Sequence, residues 1–196
     1  VVRKRPDGYH DLAMLMQCVT LYDKVSVRLL SEPKGVTVRC PGLELPTGTD
    51  NLAAKAAQLL LDHVGLKAGV AITIKKQIPA AAGLGGGSSD ASAVLTLLDE
   101  LLDLELPSHE LMQLGLRVGA DVPFFLFRKT AWATGVGDVL RAWPGLPPLW
   151  LVLVNPRIAV PTAWVFQNLR LTHPRAEDKI TRLPERVEDV APLLHN

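Results

Sequence analysis

Residues 79–90 read PAAAGLGGGSSD, which sets Gly83, Gly85, Gly86 and Gly87 around Leu84 and directly ahead of Ser88, Ser89 and Asp90. Glycine loses more freedom on ordering than any other residue, so this density needs a reason. A glycine turn between a strand-like run and a helix-like run is a good anion site. Unpaired N–H groups point outward, the helix dipole favours negative charge, and no Cβ blocks the approach of a phosphate. Ser88 and Ser89 add hydroxyl donors, and Asp90 suits the first turn of the helix or could approach a substrate. A tight turn without a ligand is the alternative, but it needs one or two glycines and not four. Two familiar phosphate loops do not match. A G-x-x-x-x-G-K-[ST] loop needs a lysine after its last glycine, and Ser88 stands there; G-x-G-x-x-G counted from Gly83 also ends on Ser88.

Asp121, in GADVP, follows a helix stop at Gly119 and so lies on a loop. A carboxylate there can take a proton or orient a hydroxyl. On spacing alone the better reading is a turn cap ahead of Pro123. Residues 7–10 read DGYH, an Asp-Gly turn that presents Tyr9 and His10. The ring can stack on a nucleobase and the imidazole can bond a base edge. The plainer alternative is a half-buried strand tyrosine and a surface histidine.

The elements that must carry these groups show in the periodicity. Residues 25–30 and 35–40 alternate as strands, and Val70, Ile72 and Ile74 line one face of a third. Asp50 is placed to cap a helix that starts at Leu52 and ends at Gly65. Val94, Leu97, Leu98 and Leu101 predict a helix from about residue 89 to 102, directly after the glycines. Ser108 is placed to cap another, which runs to Val118 and stops at Gly119. Residues 121–127 lead into two strands joined by the turn at Gly135, Val136 and Gly137, and LWLVLVNP (149–156) reads as a buried strand. The order suggests a two-layer α+β fold.

With 196 residues, 48% of them hydrophobic, the chain suits one domain or one and a half. Lys plus Arg is 21 and Asp plus Glu is 20, a net charge of +1 that argues against a nucleic-acid surface. Arg3, Lys4 and Arg5 form a short basic cluster that reads as a solvated edge. Cys18 and Cys40 lack metal-ligand spacing and read as reduced thiols of a cytoplasmic protein, with a disulfide as the other option. No apolar run reaches membrane-span length and no signal peptide opens the chain. The first residues read as the end of a strand, and LPERVEDVAPLLHN as an amphipathic piece without a layer to complete. Truncation at both ends is therefore expected.

The stretch P-x-x-x-G-L-G-G-G-S-S resembles the central motif of the GHMP kinases. RPDGYHDL (5–12), GADVPFF (119–125) and ATGVGD (133–138) narrow the resemblance to the branch that phosphorylates 4-diphosphocytidyl-2-C-methyl-D-erythritol. It extends from Arg5 to about Phe166. The resemblance implies an α+β, two-layer GHMP N-terminal domain of ribosomal-protein-like fold over residues 1–155 and the start of a C-terminal domain over 156–196. It implies ATP-dependent transfer of a phosphoryl group to the substrate's 2-hydroxyl, in the non-mevalonate route to isoprenoid precursors. Mg²⁺ would ride on the nucleotide without an all-protein cage.

Carried over by residue, Asp121 is the catalytic aspartate. Pro79, Gly83, Leu84, Gly85, Gly86, Gly87, Ser88 and Ser89 hold the nucleotide. Asn51, Leu52 and Lys76 lie near the adenine, although Asn51 could simply cap a helix and Lys76 could be an exposed strand residue. Tyr9 and His10 hold the cytosine and Phe166 is a second aromatic beside it. Asp90, Val136 and Thr162 face the substrate, Thr162 being an equally good helix cap. ATP should lie on the glycine turn, with Asp121 between it and the cytidine. A small-molecule substrate, no nucleic acid, no membrane, and a monomer or homodimer follow. The resemblance also implies a lysine-bearing strand upstream of DGYH and a later glycine-rich motif. This chain contains neither, so weak or absent catalysis by it is expected. The alternatives are another GHMP kinase, such as mevalonate or homoserine kinase, and a non-catalytic nucleotide-binding fragment. DGYH argues against the first, because a base-binding turn is idle for a substrate without a base.

Overall fold

The alternation of Val70, Ile72 and Ile74 produces the central strand of one sheet, and that sheet aims the glycine turn. In the computed structural model, which describes residues 1–46, 48–80, 82–146, 150–155 and 162–169, the strands are β1 (Arg3–Lys4), β2 (His10–Met16), β3 (Lys24–Leu30), β4 (Val36–Arg39), β5 (Gly69–Lys75), β6 (Ala131–Gly135) and β7 (Val139–Ala142). The helices are α1 (Leu52–His63), α2 (Gly86–Leu101), α3 (Ser108–Val118), α4 (Val122–Phe127) and α5 (Thr162–Asn168). The chain packs as two compact units, Val19–Arg128 and Val1–Cys18 with the chain from Lys129 onward.

In the Val19–Arg128 unit, β5 lies between β3, antiparallel to it, and β4, parallel to it. Val70, Ile72 and Ile74 are buried, while Lys24, Ser26 and Arg28 on β3 face solvent. One face of the sheet is therefore covered and the other is wet, as a two-layer fold requires. The cover is α1 and α2. Ala53, Ala56 and Ala57 keep α1 thin where it meets Val94, Leu95 and Leu98 of α2. Each fully buried Leu or Ile contributes about 1.5–3 kcal/mol relative to exposure.

The local boundaries differ from the sequence reading in instructive ways. The helix after the glycines starts at Gly86, not near residue 89, because Gly85 turns the chain with φ +66 and the next two glycines already form the first helical turn. Asn51, not Asp50, caps α1: its Oδ1 accepts from the N–H groups of Ala53 at 2.9 Å and Ala54 at 3.4 Å, while Asp50 closes a 3₁₀ turn. Ser108 is the first residue of α3 and Pro107 occupies the cap without a side-chain bond. Helix α4 falls in an apolar run that looked like an approach to a strand; Pro123, in its first turn, lacks only an N–H that a helix start leaves unpaired. Residues 150–155 form no strand. Trp150, Val152 and Val154 are exposed, since an apolar run is buried only where another element pairs with it or covers it.

The other unit is an antiparallel sheet in the order β1-β2-β6-β7. Strand β2 escaped the sequence reading because His10–Met16 shows no clean alternation, and after His10 every position is half-buried. Within β6, Ala131, Trp132 and Ala133 are buried. The boundary expected near Pro156 lies outside the described residues. Cys18 and Cys40 are free thiols.

Candidate active site

In the Val19–Arg128 unit the glycine turn joins the end of β5 to the start of α2. Its shape is set by what touches the glycines. A side chain on Gly85 would come within 2.9 Å of the Phe125 ring, and one on Gly86 within 2.9 Å of Ile78 Cγ2 and 3.1 Å of Lys76 Nζ. A helix leaves its first N–H groups without intrahelical acceptors. Among the described residues no acceptor takes the N–H groups of Gly86, Gly87 and Ser88, and Gly85 offers no capping side chain. These are donors that a phosphate can use at the positive end of a helix. Leu52 Cδ1 sits 3.5 Å from the Cβ position of Gly87, so the start of α1 packs beneath the turn. Pro79 and Gly83 are exposed on its rim, while Leu84 and Ser89 are half-buried.

Asp121 occupies the cap position of α4 but makes no capping bond, so its carboxylate is not the turn cap that spacing favoured. Among the described residues it has no hydrogen-bond or ion-pair partner. It is exposed on one side, and burial of the rest pushes its carboxyl above the ordinary aspartate range. The two halves of the site are tied together around it. Phe125 of α4 covers Gly85, and Ser88 Oγ lies 4.0 Å from the Cβ position of Gly119. The carbonyl of Val118 is held by Lys55 Nζ at 2.9 Å, which fixes the end of α3 just before Gly119.

Under the turn lies an ion cluster whose third member the sequence reading missed. Lys76 is not an exposed strand residue: its ammonium donates to Asp23 at 2.5 Å and to Asp90 at 3.0 Å. Burial pushes the Lys76 ammonium down, but the two carboxylates outweigh it and raise it overall. Burial likewise pushes Asp23 up, yet Lys76 and the N–H groups of Gln77 and Ile78 hold it below the ordinary range. Asp90 goes the other way. Burial dominates and the Asp23 charge adds to it, so the carboxyl is pushed up to about 6 despite Lys76. Its Oδ1 is buried without a hydrogen-bond partner. Asp23 lies 53 residues from Lys76 along the chain, and no local pattern marks it.

In the other unit, the DGYH turn is built as expected. Gly8 has φ +87, Asp7 Oδ1 accepts from the Tyr9 N–H at 3.1 Å, and Arg5 Nε donates to Asp7 Oδ2 at 3.0 Å. Tyr9 is 66% exposed and His10 only 8%, the reverse of the plain alternative. Val136 stands at the same end of the sheet, because Gly135 pairs with Leu12 in the β2–β6 ladder. Its N–H donates to Asp138 Oδ1 at 3.1 Å. Thr162 begins α5, and the side chains of Thr162 and Phe166 lie outside the described residues. No cluster of three or more His, Cys, Asp or Glu suited to a metal ion occurs among the described residues. No helix among them is long and apolar enough to cross a membrane.

Residues 51–129 match the family model described as GHMP kinases N terminal domain. Over all 196 residues the chain is 54% identical to the 4-diphosphocytidyl-2-C-methyl-D-erythritol kinase of Syntrophotalea carbinolica and 53% identical to that of Geobacter metallireducens, covering 70% and 69% of those proteins. A crystal structure of 4-(cytidine 5'-diphospho)-2C-methyl-D-erythritol kinase superposes with a TM-score of 0.69 at 38% identity; the match covers 87% of this chain and 59% of that one. Homoserine kinase from Cytophaga hutchinsonii superposes at 0.55 with 21% identity, a likeness of fold.

Proposed function

The chain belongs to the 4-diphosphocytidyl-2-C-methyl-D-erythritol kinases within the GHMP kinases, and on that premise we propose that it forms the nucleotide-binding and base-recognising part of an ATP-dependent kinase. The proposed reaction moves the γ-phosphoryl group of ATP to the 2-hydroxyl of the cytidine-linked methylerythritol and leaves ADP. The observation that carries this reading is the pairing of open N–H groups at residues 86–88 with an uncommitted Asp121 carboxylate, the two held together through Phe125 and Gly119.

Phosphoryl transfer asks a protein mainly to position and to neutralise. The N–H groups of Gly86, Gly87 and Ser88 bind the phosphates. Asp121 accepts the hydroxyl proton, and its raised carboxyl brings it closer to working pH. Mg²⁺ brought in with the nucleotide would neutralise the β and γ charges, and Ser88 and Ser89 are the hydroxyls of the turn that would hold it. Tyr9 stacks on the cytosine and His10 bonds its edge. Leu52 lines the adenine side, where the buried Asn51 acts first as the α1 cap. Asp90 and Lys76 support the turn from beneath. Val136, Thr162 and Phe166 complete the substrate side, with a cytoplasmic setting and a soluble small-molecule substrate.

The test is coupled-assay kinetics on the full-length protein. Asp121→Asn should lower kcat by about 10²–10⁴-fold with both KM values little changed. Tyr9→Ala should raise KM for the cytidine compound and leave KM for ATP alone. Full activity in Asp121→Asn overturns the catalytic assignment, and no turnover of the cytidine compound by the unaltered protein overturns the substrate.

A further inference from the structure

Residues 82–88 read AGLGGGS and hold four glycines, two ahead of α2 and two in its first turn. A segment of this composition has many conformations open to it, and a site that is competent in only a fraction of them binds its ligand more weakly by that fraction. Something must hold its two ends. In this structure the ends are joined by Asp23. Its Oδ1 accepts from the N–H groups of Gln77 at 2.6 Å and Ile78 at 2.9 Å, which fixes the way in. Its Oδ2 takes Lys76 Nζ, and the same ammonium reaches 3.0 Å to Asp90 in the opening turns of α2, which fixes the way out. The ammonium lies 3.1 Å from the Cβ position of Gly86, directly under the first open N–H groups.

The Asp23 side chain is only 2% exposed. A buried ion pair is a weak stabiliser, since apolar residues of the same volume often do as well or better. It is better suited to holding one register. We propose that Asp23 is a positioning residue for the nucleotide: through Lys76 and the backbone of Gln77 and Ile78 it holds both ends of the glycine turn, so that the N–H groups of residues 86–88 converge on a phosphate. This rests on the nucleotide reading of the turn given above.

Charge and position make opposite predictions here. Asp23 and Asp90 are two carboxylates against one ammonium, so Asp23 repels a nearby phosphate. If Asp23 acted only by charge, Asp23→Asn would tighten binding. As a positioning residue, its loss loosens the turn and weakens binding. The neutral amide keeps one acceptor oxygen but cannot satisfy Lys76 and both N–H groups as the carboxylate does.

The experiment is calorimetric titration of the full-length protein, wild type and Asp23→Asn, with a non-hydrolysable ATP analogue and Mg²⁺, together with steady-state kinetics. The expected result is a loss of about tenfold in analogue affinity and a matching rise in KM for ATP, with KM for the cytidine compound within about twofold. Hydrogen exchange at residues 77, 78 and 89, whose N–H groups bond Asp23 and the Gly85 carbonyl, should quicken while the amides of Leu95 and Leu98 stay protected. Asp23→Glu should recover part of the affinity. Equal or tighter analogue binding by Asp23→Asn overturns the inference and leaves the nucleotide site standing. No analogue binding by the wild-type protein overturns both. If Asp23→Asn does not fold, Asp23→Asn/Lys76→Gln replaces the pair with neutral amides of similar size. The same tenfold loss supports the inference, and unchanged affinity overturns it.

Discussion

Asp90→Asn should stabilise this protein at neutral pH, although it removes a charged partner of Lys76. The Asp90 side chain is 5% exposed, Lys76 Nζ lies 3.0 Å from Oδ2, and Oδ1 has no hydrogen-bond partner. Burial, with some repulsion from Asp23, outweighs the attraction of Lys76 and moves the carboxyl from 3.8 up to about 6. A folded-state value above the unfolded one means that the folded protein binds the proton more tightly. Stability is then greatest below about pH 4, falls as pH rises towards about 6, and stays at the lower level above that. At about 1.4 kcal/mol per pH unit the full cost of the ionised carboxylate is about 3 kcal/mol. Asparagine resembles the protonated form, and its carbonyl still accepts from Lys76, whose charge remains paired with Asp23. We expect Asp90→Asn to gain about 2 kcal/mol at pH 8, somewhat less than the full cost, because the amide places a polar group at the buried Oδ1 position, which has no hydrogen-bond partner. The assay is urea unfolding at pH 4.5, 6 and 8, with exchange protection of α2 as a local reporter. The variant should also lose its share of the pH slope between 4 and 6. A variant less stable than wild type at pH 8, with the slope unchanged, would refute the reasoning and show Lys76 to be the stronger influence on Asp90.

Two further substitutions probe the turn and its neighbour. Gly86→Ala drives a methyl against Ile78 Cγ2 at 2.9 Å and towards Lys76 Nζ at 3.1 Å, so unfolding should cost about 1–3 kcal/mol less and ATP-analogue affinity should fall in the same variant. Calorimetry beside thermal unfolding would show whether both occur. Asn51→Ala removes the acceptor for two N–H groups at the start of α1 and should lose about 0.5–2 kcal/mol. Asn51→Ser should restore most of it, and analogue affinity in that variant separates capping from contact with the adenine.

Much of the backbone of the candidate site was legible because its signals are local. Four glycines in five positions announce a special backbone wherever they occur, and Gly83 and Gly85 do take φ +72 and +66. The Asp-Gly turn at residues 7–8 is equally local, with Asp7 bonding the backbone two residues on. The strands of the β3-β5-β4 sheet followed from their period of two, and α1 and α2 from theirs of 3.6. What escaped were features whose stability comes from elsewhere in the chain. Helix α4 has six residues, too few for its periodicity to speak, and it forms because Val122, Pro123 and Phe124 are buried. Residues 150–154 show the converse, an apolar run without a partner strand among the described residues.

The sequence by itself determined the groups on offer: a glycine turn at the start of a helix, an aspartate on a loop, and a tyrosine and histidine on a tight turn. Each depends on residue type and near neighbours, and backbone conformational preference is a local property. Only the tertiary structure decided which groups share a cluster and in what state of charge. Asp23, Lys76 and Asp90 come from three places in the chain, and desolvation depends on everything packed around a group. That is why Asp23 is held low and Asp90 pushed high beside the same ammonium.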